Sequence, residues 1–216
     1  MNIVNLKKRI YTSITLLLLL FLIFKFKFIL IFSMLILGIY SILEFFNIIK
    51  KIFNGKLILF FLNISFITYV SIFCLVFLFF SNFHQLKVIL FSLLLCCIAS
   101  DIGGYIFGNI FKGKKLTKIS PKKTISGAVG SLILSSLFIL SLVFYYTNAI
   151  SFKVLIIGVL TSLGCQLGDL FFSLLKRKAK LNDTGNFLPG HGGVLDRLDG
   201  IFLGVPVGLI ALIFLY

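Results

Sequence analysis

Leu57–Phe80, LILFFLNISFITYVSIFCLVFLFF, contains no charged residue. A helix needs roughly 20 apolar residues to cross a hydrocarbon core, and this run is long enough. It reads as one span or as a broken pair. Alternation of apolar and polar residues is absent, which argues against a membrane barrel. A lone chain in lipid must satisfy its backbone internally, and the helix is the form that does so. Working outward, comparable runs occupy 10–24, 28–49, 87–111, 126–147, 153–175 and 199–216. The expectation is an all-α, polytopic integral membrane helical bundle of about seven transmembrane helices, with seven to nine if some runs are broken.

Composition agrees. The chain is 60% hydrophobic and 12% charged, against about 25% charge in a typical soluble domain. Its net charge of +15 would suggest nucleic acid in a soluble protein. In a membrane protein, lysine and arginine set orientation instead. With the N-terminus cytoplasmic, Lys7–Arg9, Lys50–Lys56, Lys112–Lys123 and Lys176–Arg197 share the cytoplasmic side, and only Lys25, Lys27, Lys87 and Lys153 face outward. The basic loops therefore read as topology and attraction to anionic lipid, with no nucleic-acid partner. The first span follows Lys7-Lys8-Arg9, lacks a small-residue cleavage site, and reads as a retained anchor. Cys74, Cys96, Cys97 and Cys165 lie inside apolar runs without a C-x-x-C pattern, and read as small hydrophobes.

The expected organisation is a single integral domain over 1–216. Residues 1–85 form N-terminal helices, and 86–216 form a catalytic core with cytoplasmic loops 112–125 and 176–198. Gly, Asp, Ser and Lys concentrate in that second part.

Only six residues are acidic: Glu44, Asp101, Asp169, Asp183, Asp196 and Asp199. An ionisable group within a span is costly and is a functional candidate by default. Asp101 shares a helical face with Gly104, Tyr105 and Gly108. Gln166, Asp169, Ser173 and Lys176 form a polar stripe on an otherwise apolar helix, which must face protein or a watery cavity. Asp196 and Asp199 stand three residues apart, with Arg197 between them. Such neighbouring carboxylates invite a hard cation such as Mg²⁺, which favours carboxylates together with substrate phosphates. Arg197 adds a fork suited to phosphate. Gly192 and Gly193, just before, would permit close backbone approach to a ligand. Asp183 reads equally as a solvated charge or a turn residue, and Glu44 as a buried polar contact or the edge of a site. His191, in the same glycine-rich loop, either donates to a phosphate or shapes the loop; without a second His or Cys nearby, zinc is not expected. Ser120, Lys122, Lys123 and Thr124 precede a helix and suit an anion, although the P-loop spacing is missing. Together these residue types point to phosphoryl or nucleotidyl transfer on a lipid.

The stretch Ser173-Leu174-Leu175-Lys176-Arg177, then Asp183, then PGHGGVLDRLD at Pro189–Asp199, resembles the signature of the phosphatidate cytidylyltransferase (CDP-diacylglycerol synthase) family. SPKKT at Ser120–Thr124, QLGDL at Gln166–Leu170 and the Asp101 helix are similar as well, and Glu44 stands where the family tends to carry a glutamate. The resemblance covers roughly 95–216. It implies conversion of CTP and phosphatidate (phosphatidic acid) into CDP-diacylglycerol and pyrophosphate with Mg²⁺, K⁺ assisting, in the inner membrane of a bacterial cell and as a homodimer. It also implies Asp169, Asp196 and Asp199 as catalytic metal-site carboxylates, with Lys176 and Arg197 catalytic beside them. Ser120, Lys122, Lys123, Thr124, Ser173, Arg177, His191, Gly192, Gly193 and Asp101 would bind substrate. Three positions depart from the family pattern: Ser126 and Phe172 replace acids, and Asn182 replaces a lysine. The rival readings are a CTP-using polyprenol or phytol kinase, a relative that has lost activity, and, from a different class, a cation transporter. The full signature disfavours the kinase. The clustering of acids in one half disfavours the transporter.

Overall fold

A computed structural model describes residues 15–117, 120–121, 123–185, 187 and 192–216. Its elements are helices α1 (Thr15–Lys25), α2 (Lys27–Ile52), α3 (Lys56–Phe80), α4 (His84–Phe111), α5 (Ile125–Thr147), α6 (Phe152–Lys178) and α7 (Leu195–Leu215). Among the described residues there is no strand, only an isolated antiparallel bridge between Lys115 and Thr124. The six helices α2 to α7 are each long and apolar enough to cross a membrane. The chain is thus a polytopic helical membrane protein. The Leu57–Phe80 run is one unbroken helix, which settles the alternative left by its sequence. The first expected span, 10–24, lies partly outside the described residues, and its described part is the short helix α1.

The helix ends follow local chemistry. Phe26 alone separates α1 from α2, in extended conformation (φ −114°, ψ 115°). The Thr124 side chain caps α5 by accepting the Gly127 amide, which satisfies one of the orphan donors of a first turn. Asn148 closes α5 in the left-handed region (φ 52°), which Asn tolerates better than most residues. After α6, Leu181 N donates to Lys176 O at 2.9 Å and Lys180 N to Arg177 O at 3.1 Å, with Lys180 at φ 56°. This Schellman turn ends the helix and leads into the loop that carries Asp183 and Thr184.

The chain divides into two compact units, one of Met1–His84 with Leu175–Leu198 and one of Gln85–Leu174 with Asp199–Tyr216. In the first, α2 packs on α3. Phe45 stacks on Phe66 with ring centroids 3.9 Å apart, and Gly38 lies against Cys74 and Val70. Lys27 at the start of α2 bonds Asn82 just beyond the end of α3, as an antiparallel pair requires.

The second unit is held by small residues. A methyl at Gly103 of α4 would come within 2.6 Å of the Gly130 carbonyl of α5, and one at Gly158 of α6 within 2.6 Å of Ser136 Cα. Helices this close gain dispersion contacts that lipid cannot match. Hydroxyls add cross-links: Ser131 donates to Ser100 O at 2.7 Å, and the Ser100 and Ser162 hydroxyls are 2.7 Å apart. Outward, Leu57, Phe61, Ile213 and Phe214 are exposed, as side chains that meet acyl chains are.

Candidate functional site

In the first unit the chemistry gathers where α7 begins. A helix start leaves backbone N–H groups without partners; here Glu44 supplies them for Val194 and Leu195, while Asp196 takes amides of the loop before the helix. Glu44, on α2, is 6% exposed. Its Oε1 accepts Val194 N at 3.0 Å; its Oε2 accepts Leu195 N at 2.9 Å and the Thr184 hydroxyl at 2.6 Å. Asp196, in the first turn of α7, folds its side chain back over the preceding loop. Its Oδ2 accepts Thr184 N at 2.8 Å and Gly193 N at 3.0 Å, and lies 3.0 Å from the Thr184 hydroxyl. Its Oδ1 takes the Lys176 ammonium at 2.6 Å. The Asp196 side chain is 7% exposed and that of Lys176 13%, so this ion pair is largely withdrawn from water.

The two signature glycines fit that construction. Gly192 has φ +82°, and a Cβ there would sit 2.8 Å from Asp196 Oδ2. A Cβ on Gly193 would collide with Glu44 Oε2 and the Thr184 hydroxyl. The close approach these glycines allow is to the protein's own carboxylates. Asp183 is exposed in the adjoining bend. Arg177, also exposed, donates to Asn182 Oδ1 at 3.2 Å and to Leu181 O at 3.4 Å.

In the second unit Lys123 pairs with Asp169 Oδ2 on α6, and Ser173, one turn on, donates to Asp169 Oδ1 at 3.5 Å. Both partners are more open, at 27% and 31% side-chain exposure. Gln166 of the same stripe donates to Ala128 O on α5 at 3.2 Å; that part of the stripe faces protein. Asp101 accepts the Cys165 thiol at 3.7 Å. Thr124 and Ser126 bond each other at 3.1 Å, and Ser126 donates to Lys112 O at 3.3 Å. Ser120 accepts the Lys123 amide on its carbonyl at 3.0 Å. These contacts brace the basic loop against the start of α5. Asp199 takes the Gly200 amide at 2.9 Å; Arg197, in the first unit, is exposed. Phe172, where the resemblance leads one to expect an acid, is 3% exposed and faces Phe202 and Phe171. Lys122 and His191 lie outside the described residues.

Within the first unit the structure therefore brings Lys176, Asp196 and Gly193 together, and within the second Lys123, Asp169 and Ser173. Two members of the first cluster carry little signal in the sequence. Thr184 is an ordinary loop hydroxyl. Glu44 is marked by being a lone acid in an apolar helix, a costly intramembrane charge, and by the resemblance, and neither cue names its partners.

A family model described as the cytidylyltransferase family matches residues 51–215. The chain belongs to the cytidylyltransferase family. All the cytidylyltransferase site candidates from Asp101 to Asp199 fall within the match, whereas Glu44 precedes it. Curated relatives carry the name phosphatidate cytidylyltransferase. That of Staphylococcus saprophyticus is 42% identical over 130 residues, which are 59% of this chain and 50% of the relative. That of Rickettsia felis is 43% identical over 129 residues, 55% of this chain and 56% of the relative. That of Helicobacter pylori is 38% identical over 122 residues, 56% and 46% respectively. The chain spans about half the length of the curated relatives it matches.

Proposed function

We propose that this chain is a phosphatidate cytidylyltransferase, joining CTP and phosphatidate into CDP-diacylglycerol and pyrophosphate. The observation that carries the reading is the buried Lys176–Asp196 pair at the start of α7, inside the family match and the signature. The names of the relatives support it.

A phosphatidate phosphate oxygen forms the new bond to the α-phosphorus of CTP. The bond from that phosphorus to the bridging oxygen breaks, and pyrophosphate leaves with the electron pair. No oxidation and no covalent enzyme intermediate is involved. The difficulty is electrostatic, because an anion must approach a polyanion. Catalysis of this kind is mostly positioning and charge stabilisation.

Among the described residues no three His, Cys, Asp or Glu side chains converge as a ready metal site. That donor set suits Mg²⁺ arriving with a nucleotide, because Mg²⁺ in phosphate chemistry uses one or two carboxylates plus phosphate oxygens and water. Asp169 fits best, since among the described residues its Oδ1 has only the long Ser173 contact of 3.5 Å. Asp196 fits once Lys176 leaves its Oδ1, and Asp199 is the third candidate. Bound at any one of these carboxylates, Mg²⁺ would supply neutralisation of triphosphate charge, with K⁺ as a further cation. Lys123 and Lys176, each resting on a carboxylate, would turn to the phosphates as these arrive. Lys122, Arg177, Arg197 and His191 would add contacts to them, and Ser120, Thr124 and Ser173 hydroxyl donors. Gly192, Gly193 and Asp101 complete the substrate-side assignment. The same reading places the N-terminus and basic loops on the cytoplasmic side of a bacterial inner membrane, where CTP is found, and takes a homodimer as the assembly.

The test is purified protein in detergent with CTP, phosphatidate and Mg²⁺, following pyrophosphate release and the mass of the lipid product. CDP-diacylglycerol that disappears in Asp196→Asn supports the reading. In a parallel reaction with a lipid alcohol added, release of CDP with phosphorylation of that alcohol would replace it with a kinase, and no turnover by folded protein in either reaction would overturn it.

A further inference from the structure

We infer that Glu44 is a positioning residue for Asp196, acting through Thr184 and the backbone turn that starts α7; the inference rests on the proposed nucleotidyl transfer. Glu44 lies 150 residues before one of the amides it binds and precedes the family match, which begins at residue 51; the resemblance puts a glutamate there and gives it no role.

The geometry supplies the role. Asp196 is held from two sides, by the Thr184 amide at 2.8 Å and by the Gly193 amide at 3.0 Å. Glu44 holds both of those segments. It takes the Thr184 hydroxyl on one side and the Val194 and Leu195 amides on the other. A threonine hydroxyl has one hydrogen to give. The 2.6 Å contact to Glu44 is shorter than the 3.0 Å contact to Asp196, so the hydrogen goes to Glu44. Among the described residues Asp196 Oδ2 is then gripped by backbone amides, with Lys176 on the other oxygen, and Glu44 fixes where those amides point. Thr184 is 7% exposed and Glu44 6%, so water does not readily replace the bonds. A side chain on Gly193 would occupy the space of Glu44 Oε2 and the Thr184 hydroxyl, which leaves the turn no room to repack.

A glutamine at 44 keeps the size but must aim an NH₂ group at N–H or O–H donors. Partners that orient a ligating group typically account for about 10- to 100-fold in affinity or activity. Glu44→Gln is therefore expected to lower kcat by about 10- to 100-fold and to raise the Mg²⁺ concentration for half-maximal rate about tenfold, while KM for CTP stays within about twofold. Thr184→Val should reproduce part of the loss, Thr184→Ser should restore it, and the double variant Glu44→Gln/Thr184→Val should be no worse than Glu44→Gln alone, as for coupled neighbours. A purely structural glutamate would lower the yield of folded protein and leave the Mg²⁺ dependence unmoved, and that result overturns the inference. So does a double variant in which the two losses multiply. A readout independent of turnover is amide hydrogen exchange in substrate-free protein. Val194 and Leu195 should exchange at least about tenfold faster in Glu44→Gln, and unchanged exchange also overturns the inference. If Glu44→Gln does not fold, Thr184→Val against Thr184→Ser decides on the same readouts. Native protein that makes no CDP-diacylglycerol removes the proposed reaction and the catalytic part of this inference with it; the exchange experiment then decides the anchor by itself.

Discussion

Asp196 and Asp169 each hold a lysine, and they do so in different surroundings. Asp196 is 7% exposed, and backbone amides fill one oxygen while Lys176 takes the other. Asp169 is 31% exposed, and among the described residues its bonds are to two side chains, Lys123 and Ser173. The first carboxylate is part of the architecture of a helix start. The second is held by groups that can turn away without moving any backbone. Ion pairs of one chemical type thus have different costs of disruption, because desolvation and backbone coupling decide the cost more than charge does.

The comparison breaks most readily at Lys176. Lys176→Met strands Asp196 in a site with little water, and the loss expected is about 3–5 kcal/mol of stability together with activity. Thermal unfolding in detergent measures the first and pyrophosphate release the second. If Lys176→Met melts with the native protein, the pair is not the buried element described here.

Next in size is Phe172→Glu. Placing there the acid that the resemblance leads one to expect would bury a carboxyl against Phe202, at a cost of about 3 kcal/mol. A lower melting temperature without a gain in turnover is expected; a stable variant with a higher rate would place residue 172 in the site after all. Gly193→Ala is expected to cost about 1–3 kcal/mol by overpacking and to reduce activity, because the added methyl displaces Glu44 and Thr184. An alanine variant with native stability would show that the turn has room to repack. Smallest is Lys123→Met, expected to cost under about 1 kcal/mol of stability while still lowering turnover. A stability loss as large as that of Lys176→Met would erase the distinction between the two pairs.

The departures from the family pattern illustrate what residue types can say. Phe172 reads in sequence as an acid missing from a site, yet the side chain lies in the apolar core of its unit. A position in a motif identifies which residue stands there, while the direction of its side chain depends on the packing of its helix. Gly193 makes the same point from the opposite side. The spacing marks it as a place of close backbone approach, and the group that comes close is Glu44.

The apolar runs by themselves determined the helices. A run long enough to cross a bilayer has to bond its backbone internally, so α2 to α7 were legible from composition and length, as was the concentration of acids, lysines and hydroxyls at a few loops and helix ends. The candidate site was legible as a set of residue types at motif spacing. Tertiary structure decided the pairings: Lys123 with Asp169 across 46 residues, and Glu44 with the start of α7 across 150. Hydrophobicity is a property of each segment and can be read along the chain. A hydrogen bond between distant segments exists only after helices have packed, and no local pattern encodes its partner.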